Sequence, residues 1–380
     1  MNLGPVALVA ITKGGARLLA RIKTFLPQAD AFVPEKFQDE APFASLFKKP
    51  FKALMADLWP RYKGIVAVVS LGALVRSVAP FLKDKHSDPA LVAIDDTGRF
   101  VVSVLSGHLG GANRLTSAIA EHLGAEAVIT TASDSLGTIG VDILGREFGW
   151  VLESFGNVTH ASASIVNEEP VGIYQDAGET DFWPQEGSSG GAEPLPKNIQ
   201  AFPSLQELFK APLSAYLIIT DRIVSISEDL AEKVVLYRPK SLVLGVGCDR
   251  GLTLEELETL VHETLRDYGL SFESIRTIAT IESRRTEPAI VRFAQARDLP
   301  LLAFAKEELN RVKDVPNPSS MAMKYAGVIG VAEPAAILGS GFGELVAPKV
   351  KSKRATLAIA RVHFENEQEP KGRAGGFHAG

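Results

Sequence analysis

A strand-like run that ends in a glycine-rich turn and passes straight into a helical face is the feature that most constrains this chain. Phe100-Val101-Val102-Ser103-Val104-Leu105 is rich in β-branched and aromatic residues, which suit a pleated, buried surface. Ser106-Gly107-His108-Leu109-Gly110-Gly111-Ala112-Asn113-Arg114 follows it. Leu115, Ile119 and Leu123 then recur four residues apart, and Gly124 stands where a helix is expected to stop. A glycine pair at such a junction lets the backbone turn tightly and leaves amides unpaired at the helix start, where the helix dipole also draws anions. His108 adds a side chain that titrates near neutral pH. On spacing alone the plainer reading leads: the turn only joins a strand to a helix, and His108 makes a local hydrogen bond.

The same alternation extends outward. Val6 to Ile11 and Ile65 to Val69 read as buried strands, and each is followed by a glycine-containing turn and a helix start. Asp95-Asp96-Thr97-Gly98 between two apolar runs reads as a hairpin turn, and Ala127 to Thr131 as a further strand. Residues 1–136 therefore form an α/β domain. Residues 137–238 are less regular and hold a flexible glycine-, proline- and acid-rich segment, 176–198. Arg238-Pro239-Lys240 reads as a linker.

A second α/β domain spans residues 241–363. It opens with the strand Leu242 to Cys248, and Thr253 with Glu256 then has the spacing of a capping box. Leu345–Val350 and Thr356–Val362 pair as a terminal hairpin, and the polar 364–380 tail is expected to be disordered. The expected class is α/β and multi-domain, in keeping with 380 residues at about 100–200 per domain.

Net charge narrows the partners. At −5 the chain is unlike a general nucleic-acid binder, and an acidic ligand would need a local basic patch. Cys248 is the single cysteine, which excludes an intrachain disulfide and a multi-cysteine metal site and suits a reducing cytoplasm. The apolar run from Leu3 to Ile11 lacks a basic lead and a cleavage site, so it is not read as a signal peptide. No run approaches the roughly 18 apolar residues of a membrane span, so a soluble, cytoplasmic protein is expected.

Several side chains carry both a chemical and a plain structural reading. Asp84 and Asp88 lie four apart around Lys85 and read as an acid pair, or as a turn initiated by Asp88-Pro89. Asp134 follows a strand end, where ligands gather in open α/β sheets. Glu333 before Pro334 suits a helix N-terminus. Cys248 precedes a helix with no basic partner beside it. His86, His108 and His122 have no helical spacing for a metal site.

Taken together, several stretches resemble one family. Arg76 to Lys85, Asp88 to Val92 and Leu105 to Asn113 resemble the amino-terminal domain of the CbiG family. Gly245-Val246-Gly247-Cys248, Ala279-Thr280-Ile281, Val331 to Ala336 and Thr356 to Ala360 resemble its CobE-like carboxy-terminal domain. The order of the motifs, across about residues 5–362, is more specific than any one of them. Glu282-Ser283-Arg284-Arg285 departs from the family's lysine and acid pattern.

The resemblance implies a cobalt-precorrin-5A hydrolase of anaerobic cobalamin biosynthesis. Such an enzyme opens a δ-lactone on a cobalt-bearing tetrapyrrole with water and releases the C-20 two-carbon unit as acetaldehyde. The implied partners are that substrate and other enzymes of the pathway, with no nucleic acid and no membrane. No cofactor or protein-bound metal is implied, because cobalt arrives with the substrate.

Lactone opening needs a polarised carbonyl, a stabilised oxyanion and a proton shuttle. The turn offers residues suited to these tasks: His108, with Asp88, for the shuttle, and the amides of Gly110, Gly111 and Ala112 for the oxyanion. Arg76, Lys83, Lys85 and Arg114 would answer the substrate's carboxylates. Ser106, Gly107, Gly110, Gly111, Asn113 and Glu333 complete the expected substrate contacts. A wide cleft between the first and third domains is the expected place for so large a ligand. The alternatives are a tetrapyrrole carrier that performs no chemistry and, last, a phosphate-binding turn, which lacks the P-loop lysine.

Overall fold

A computed structural model describes residues 4–84, 87–180, 195–313 and 315–364. Lys85, His86, most of the 176–198 segment and the tail after Phe364 lie outside the described residues. The chain divides into two compact units, Met1–Ile143 and Leu144–Gly380.

The first unit holds strands β1 (Val6–Ala10), β2 (Asp30–Pro34), β3 (Ser45–Phe47), β4 (Gly64–Val68), β5 (Ala90–Ile94), β6 (Phe100–Leu105) and β7 (Glu126–Val128). Its helices are α1 (Lys13–Phe25), α2 (Phe51–Leu58), α3 (Leu71–Val78), α4 (Ala112–Leu123) and the short α5 (Ala132–Ser135). The strands form one sheet in the order β3-β2-β1-β4-β5-β6-β7. Strands β1, β4 and β5 are buried throughout, as expected of parallel strands covered on both faces.

Alternate residues divide between the two faces of this sheet. Leu8, Val66 and Val92 pack with Leu19, Ile22, Leu115 and Ile119 of α1 and α4. Ala7, Ile65 and Leu91 pack with Met55, Leu58, Leu74 and Val78 of α2 and α3.

One turn places the site. Gly98 takes φ 70° at the β5–β6 hairpin, a conformation glycine adopts without steric cost. Asp95 accepts from the amides of Thr97 (3.0 Å) and Phe100 (2.6 Å) there. Burial pushes the Asp95 carboxyl up, but the Thr97 hydroxyl and these amides hold it net below its ordinary range. The hairpin makes β6 antiparallel to β5, and β7 then runs parallel to β6. The ends of β6 and β7 consequently open on the edge of the sheet where β5 begins.

The second unit holds two five-stranded sheets. The first comprises β8 (Val151–Leu152), β9 (Val171–Gln175), β10 (Ile199–Ala201), β11 (Ala215–Ile219) and β12 (Val234–Arg238), flanked by α6 (Val158–Val166) and α7 (Leu205–Lys210). Its order is β10-β9-β11-β12-β8, parallel except at β8. The region expected to be less regular is therefore an ordered, mainly parallel sheet. Two of its strands, β8 and β10, hold only two and three residues, too short for periodicity to stand out.

The second sheet comprises β13 (Leu242–Cys248), β14 (Ile275–Ile281), β15 (Leu301–Phe304), β16 (Leu345–Lys351) and β17 (Ala355–Arg361). Its helices are α8 (Leu254–Asp267), α9 (Pro288–Ala296), α10 (Lys306–Leu309), α11 (Ser320–Ala326) and α12 (Ala332–Gly339). The order is β15-β14-β13-β17-β16, with the expected β16–β17 hairpin. Gly245 lets α12 lie directly on β13, since a Cβ there would stand 1.9 Å from the Ala332 carbonyl oxygen. Half of the capping box forms: Thr253 Oγ1 accepts from the Glu256 amide at 3.2 Å. The Glu256 carboxylate instead accepts from Ser352 Oγ and the Arg354 amide.

One further reading is corrected in this unit. Arg238 is 3% exposed at the end of β12 and is no linker residue. Its guanidinium pairs with Glu153 and donates to the Thr220 and Arg222 carbonyls. Beyond it, Asp221 is fully buried and joins the two sheets. It accepts from Arg361 at 2.7 and 2.8 Å and from Ser241 Oγ at 2.7 Å.

Candidate functional site

The turn after β6 is held by its own backbone. The amides of Gly111, Ala112 and Asn113 donate to the carbonyls of His108, Ser106 and Gly107 at 3.0, 3.1 and 3.0 Å. The expectation of bare amides at Gly111 and Ala112 is thereby corrected, because the tightness of the turn consumes both. Among the described residues the Gly110 amide has no such partner, so of the three amides expected to be bare it alone is left without a backbone acceptor. A side chain at Gly110 is excluded, since its Cβ would lie 2.3 Å from Ser106 Cβ and 2.6 Å from the Ser106 oxygen.

Ser106 itself takes φ 56°, an uncommon conformation for a residue with a side chain. Its hydroxyl donates to the Asp88 carbonyl at 2.9 Å, tying the turn to the loop before β5. Asn113 ties it to the chain after β7. It is 6% exposed, accepts from Ser103 Oγ at 2.6 Å and donates to Thr131 Oγ1 at 2.9 Å. Asn113 thus faces inward as a brace and does not present its amide to a ligand. Gly107 makes room for it, because a Cβ there would meet Asn113 Oδ1 at 2.6 Å.

This bracing brings together three side chains far apart in sequence. His108 Nδ1 lies 2.9 Å from Asp142 Oδ1, and His108 Nε2 lies 3.0 Å from Ser133 Oγ on α5. A carboxylate can only accept, so in the neutral imidazole Nδ1 carries the ring hydrogen and Nε2 is the acceptor for the serine hydroxyl. The His108 and Asp142 side chains are 14% and 12% exposed. The imidazole is therefore neither sealed in nor freely solvated, and its hydrogen bonds act in a partly desolvated setting.

Ser133 and Asp142 were not among the residues singled out from sequence. A faint signal for Asp142 exists, as it is a single carboxylate in the apolar run Ile139-Gly140-Val141-Asp142-Ile143. Asp134, which was singled out, has a side chain outside the description.

The other candidates separate. Asp88 Oδ1 and Oδ2 accept from the Lys83 amide at 3.2 and 3.0 Å. Asp84 accepts from the Ser87 amide and hydroxyl at 2.9 and 2.8 Å. The two acids therefore close the loop before β5, and among the described residues the Asp88 carboxylate is bonded to the Lys83 amide and not to His108. Arg76 on α3, Lys83 and Arg114 on α4 are exposed, and among the described residues none has an ion-pair partner. They are available to a ligand's carboxylates.

Glu333 is 1% exposed in the first turn of α12. It accepts from the Asn317 amide (3.0 Å), Asn317 Nδ2 (2.8 Å) and the Lys349 amide (3.0 Å). The reading of Glu333 as a substrate contact is corrected: those donors occupy its oxygens. Cys248 is also set aside, because burial and the nearby Glu287 push its thiol up to about 11. His122 stacks on Phe25 at 5.1 Å and lies 3.1 Å from the Arg21 carbonyl. A hollow of about 450 Å³ beside α8 is lined by Glu255, Glu256, Glu263 and Asp267, the wrong charge for a polycarboxylate.

Comparison with known proteins adds what geometry does not. Residues 53–134 match the family description "Cobalamin synthesis G N-terminal", 139–239 "Cobalamin biosynthesis central region", and 242–360 "Cobalamin synthesis G C-terminus". The chain is 40% identical to the cobalt-precorrin-5A hydrolase of Priestia megaterium, covering 95% of this chain and 96% of that one. It is 30% identical to the protein of the same name from Salmonella typhimurium, covering 94% and 98%. Protein CobE of a Sinorhizobium species is 36% identical over 31% of this chain and 79% of its own length.

Proposed function

Because the chain belongs to the CbiG family of cobalamin biosynthesis proteins, we propose that it is a cobalt-precorrin-5A hydrolase that opens the δ-lactone of that tetrapyrrole and releases the C-20 unit as acetaldehyde. The observation that carries the chemistry is the imidazole of His108, held by Asp142 with Nε2 as the acceptor. In this reading Nε2 takes a proton as the lactone carbonyl is attacked, and Asp142 stabilises the imidazolium that results. The Gly110 amide supplies one donor to the developing oxyanion. Exposed Arg76, Lys83 and Arg114 meet the substrate's carboxylates. Asp88 acts by holding the loop that carries Lys83. Cobalt enters and leaves with the substrate.

The test is anaerobic incubation of the full chain with cobalt-precorrin-5A. Lactone opening is followed as the gain of one water by mass, and acetaldehyde is trapped as a hydrazone. His108→Ala is expected to abolish both signals while leaving tetrapyrrole binding intact. Tight binding by the unaltered chain with neither signal would make it a carrier and reject the hydrolase.

A further inference from the structure

We infer that Ser133 is the nucleophile that opens the lactone, so that the reaction passes through an ester between Ser133 and the substrate's acyl group rather than by direct attack of water. This deepens the proposed hydrolase and rests on it for the identity of the substrate. Three observations converge. Ser133 Oγ lies 3.0 Å from His108 Nε2, the acceptor nitrogen of a neutral imidazole whose Nδ1 lies 2.9 Å from a carboxylate. The order hydroxyl, imidazole, carboxylate is that of an activated serine, recognised by geometry and not by sequence position. Ser133 is also only partly buried at the start of α5, so it is not sealed within the core.

The step balances without an oxidant or metal. Ser133 Oγ bonds to the lactone carbonyl carbon, and its proton passes to His108 Nε2. The bond between that carbon and the ring oxygen breaks, and His108 returns the proton to the departing oxygen. The product of this half is an ester on Ser133 and a free hydroxyl on the two-carbon bridge. Water then attacks the ester and gives a proton to His108, and the serine hydroxyl and a substrate carboxylate are released. Loss of the two-carbon unit then breaks its bond to the macrocycle. The exposed hydroxyl gives up its proton and becomes the carbonyl of acetaldehyde, and the electron pair of the broken carbon–carbon bond stays on the macrocycle carbon, which takes up a proton.

Two measurements on the full chain separate this inference from the function it rests on. A fluorophosphonate probe, which bonds covalently to activated serines whatever the natural substrate, is mapped by peptide mass spectrometry. In parallel, lactone opening is timed for the unaltered chain and for Ser133→Ala, with circular dichroism to show that the variant is folded. Labelling at Ser133, with a fall of about 10³-fold or more in the variant, is the expected result. A chain that opens the lactone but is unlabelled at Ser133, with Ser133→Ala within about tenfold of it, overturns the nucleophile and leaves water as the attacker. Labelling at Ser133 in a chain that leaves the lactone closed upholds the nucleophile and rejects the proposed substrate.

Discussion

Replacing Asp142 with asparagine perturbs the relay at its least conspicuous member. The two side chains have the same shape, but asparagine can turn an NH₂ toward His108 Nδ1 where the carboxylate only accepts. The ring hydrogen then moves to Nε2, and the imidazole faces Ser133 as a donor instead of a base. The native contact is 2.9 Å long, between side chains only 14% and 12% exposed, so water is poorly placed to restore the tautomer. In serine hydrolases the corresponding change lowers turnover about 10⁴-fold, or about 5.5 kcal/mol in the barrier. A fall of about 10³- to 10⁴-fold is expected here.

Tetrapyrrole affinity should hold in this variant, because in the proposed mechanism Asp142 acts through its contact with His108. The assay is anaerobic single turnover with the enzyme in excess, quenched and read as the ratio of open to closed lactone by mass. The thermal midpoint serves as the control for folding. Lactone opening within about tenfold of the unaltered chain would show that Asp142 does not set the state of His108, and the relay would fall.

Two further predictions test other parts of the molecule. Asp221→Ala leaves the Arg361 guanidinium, whose side chain is 15% exposed, without its bidentate partner. Urea unfolding should report a loss of about 3–5 kcal/mol, and a loss under about 1 kcal/mol would show that the pair does not fasten the two sheets. Cys248, with its thiol pushed up to about 11, is about 10⁻³ thiolate at pH 8. Iodoacetamide should therefore alkylate it more than about 100-fold slower than an ordinary exposed thiol, gaining about tenfold per pH unit toward 11. Intact-mass time courses read this directly, and a rate that levels off near pH 8.5 would contradict it.

Much of the framework was legible in the residues. Val6–Ala10, Gly64–Val68 and Ala90–Ile94 are short apolar runs bounded by turns, and they became the buried parallel strands. Asp95 to Gly98 announced the hairpin, and the spacing of Leu115, Ile119 and Leu123 announced α4 with its stop at Gly124. These signals are local: each rests on side-chain period or on the φ one residue can adopt. His108 was legible as a candidate for the same reason, since it sits inside the turn that marks itself.

The partners of that histidine were not legible. Ser133 and Asp142 lie 25 and 34 residues away, and Asp221 finds Arg361 across 140. No local pattern encodes such meetings. The sequence determined by itself the strands, the glycine turn and the family, because these follow from backbone sterics and short-range burial. Only the tertiary structure decided which acid and which hydroxyl meet the imidazole. That choice depends on β6 reversing at the hairpin and β7 running beside it, so that both strand ends open on one edge.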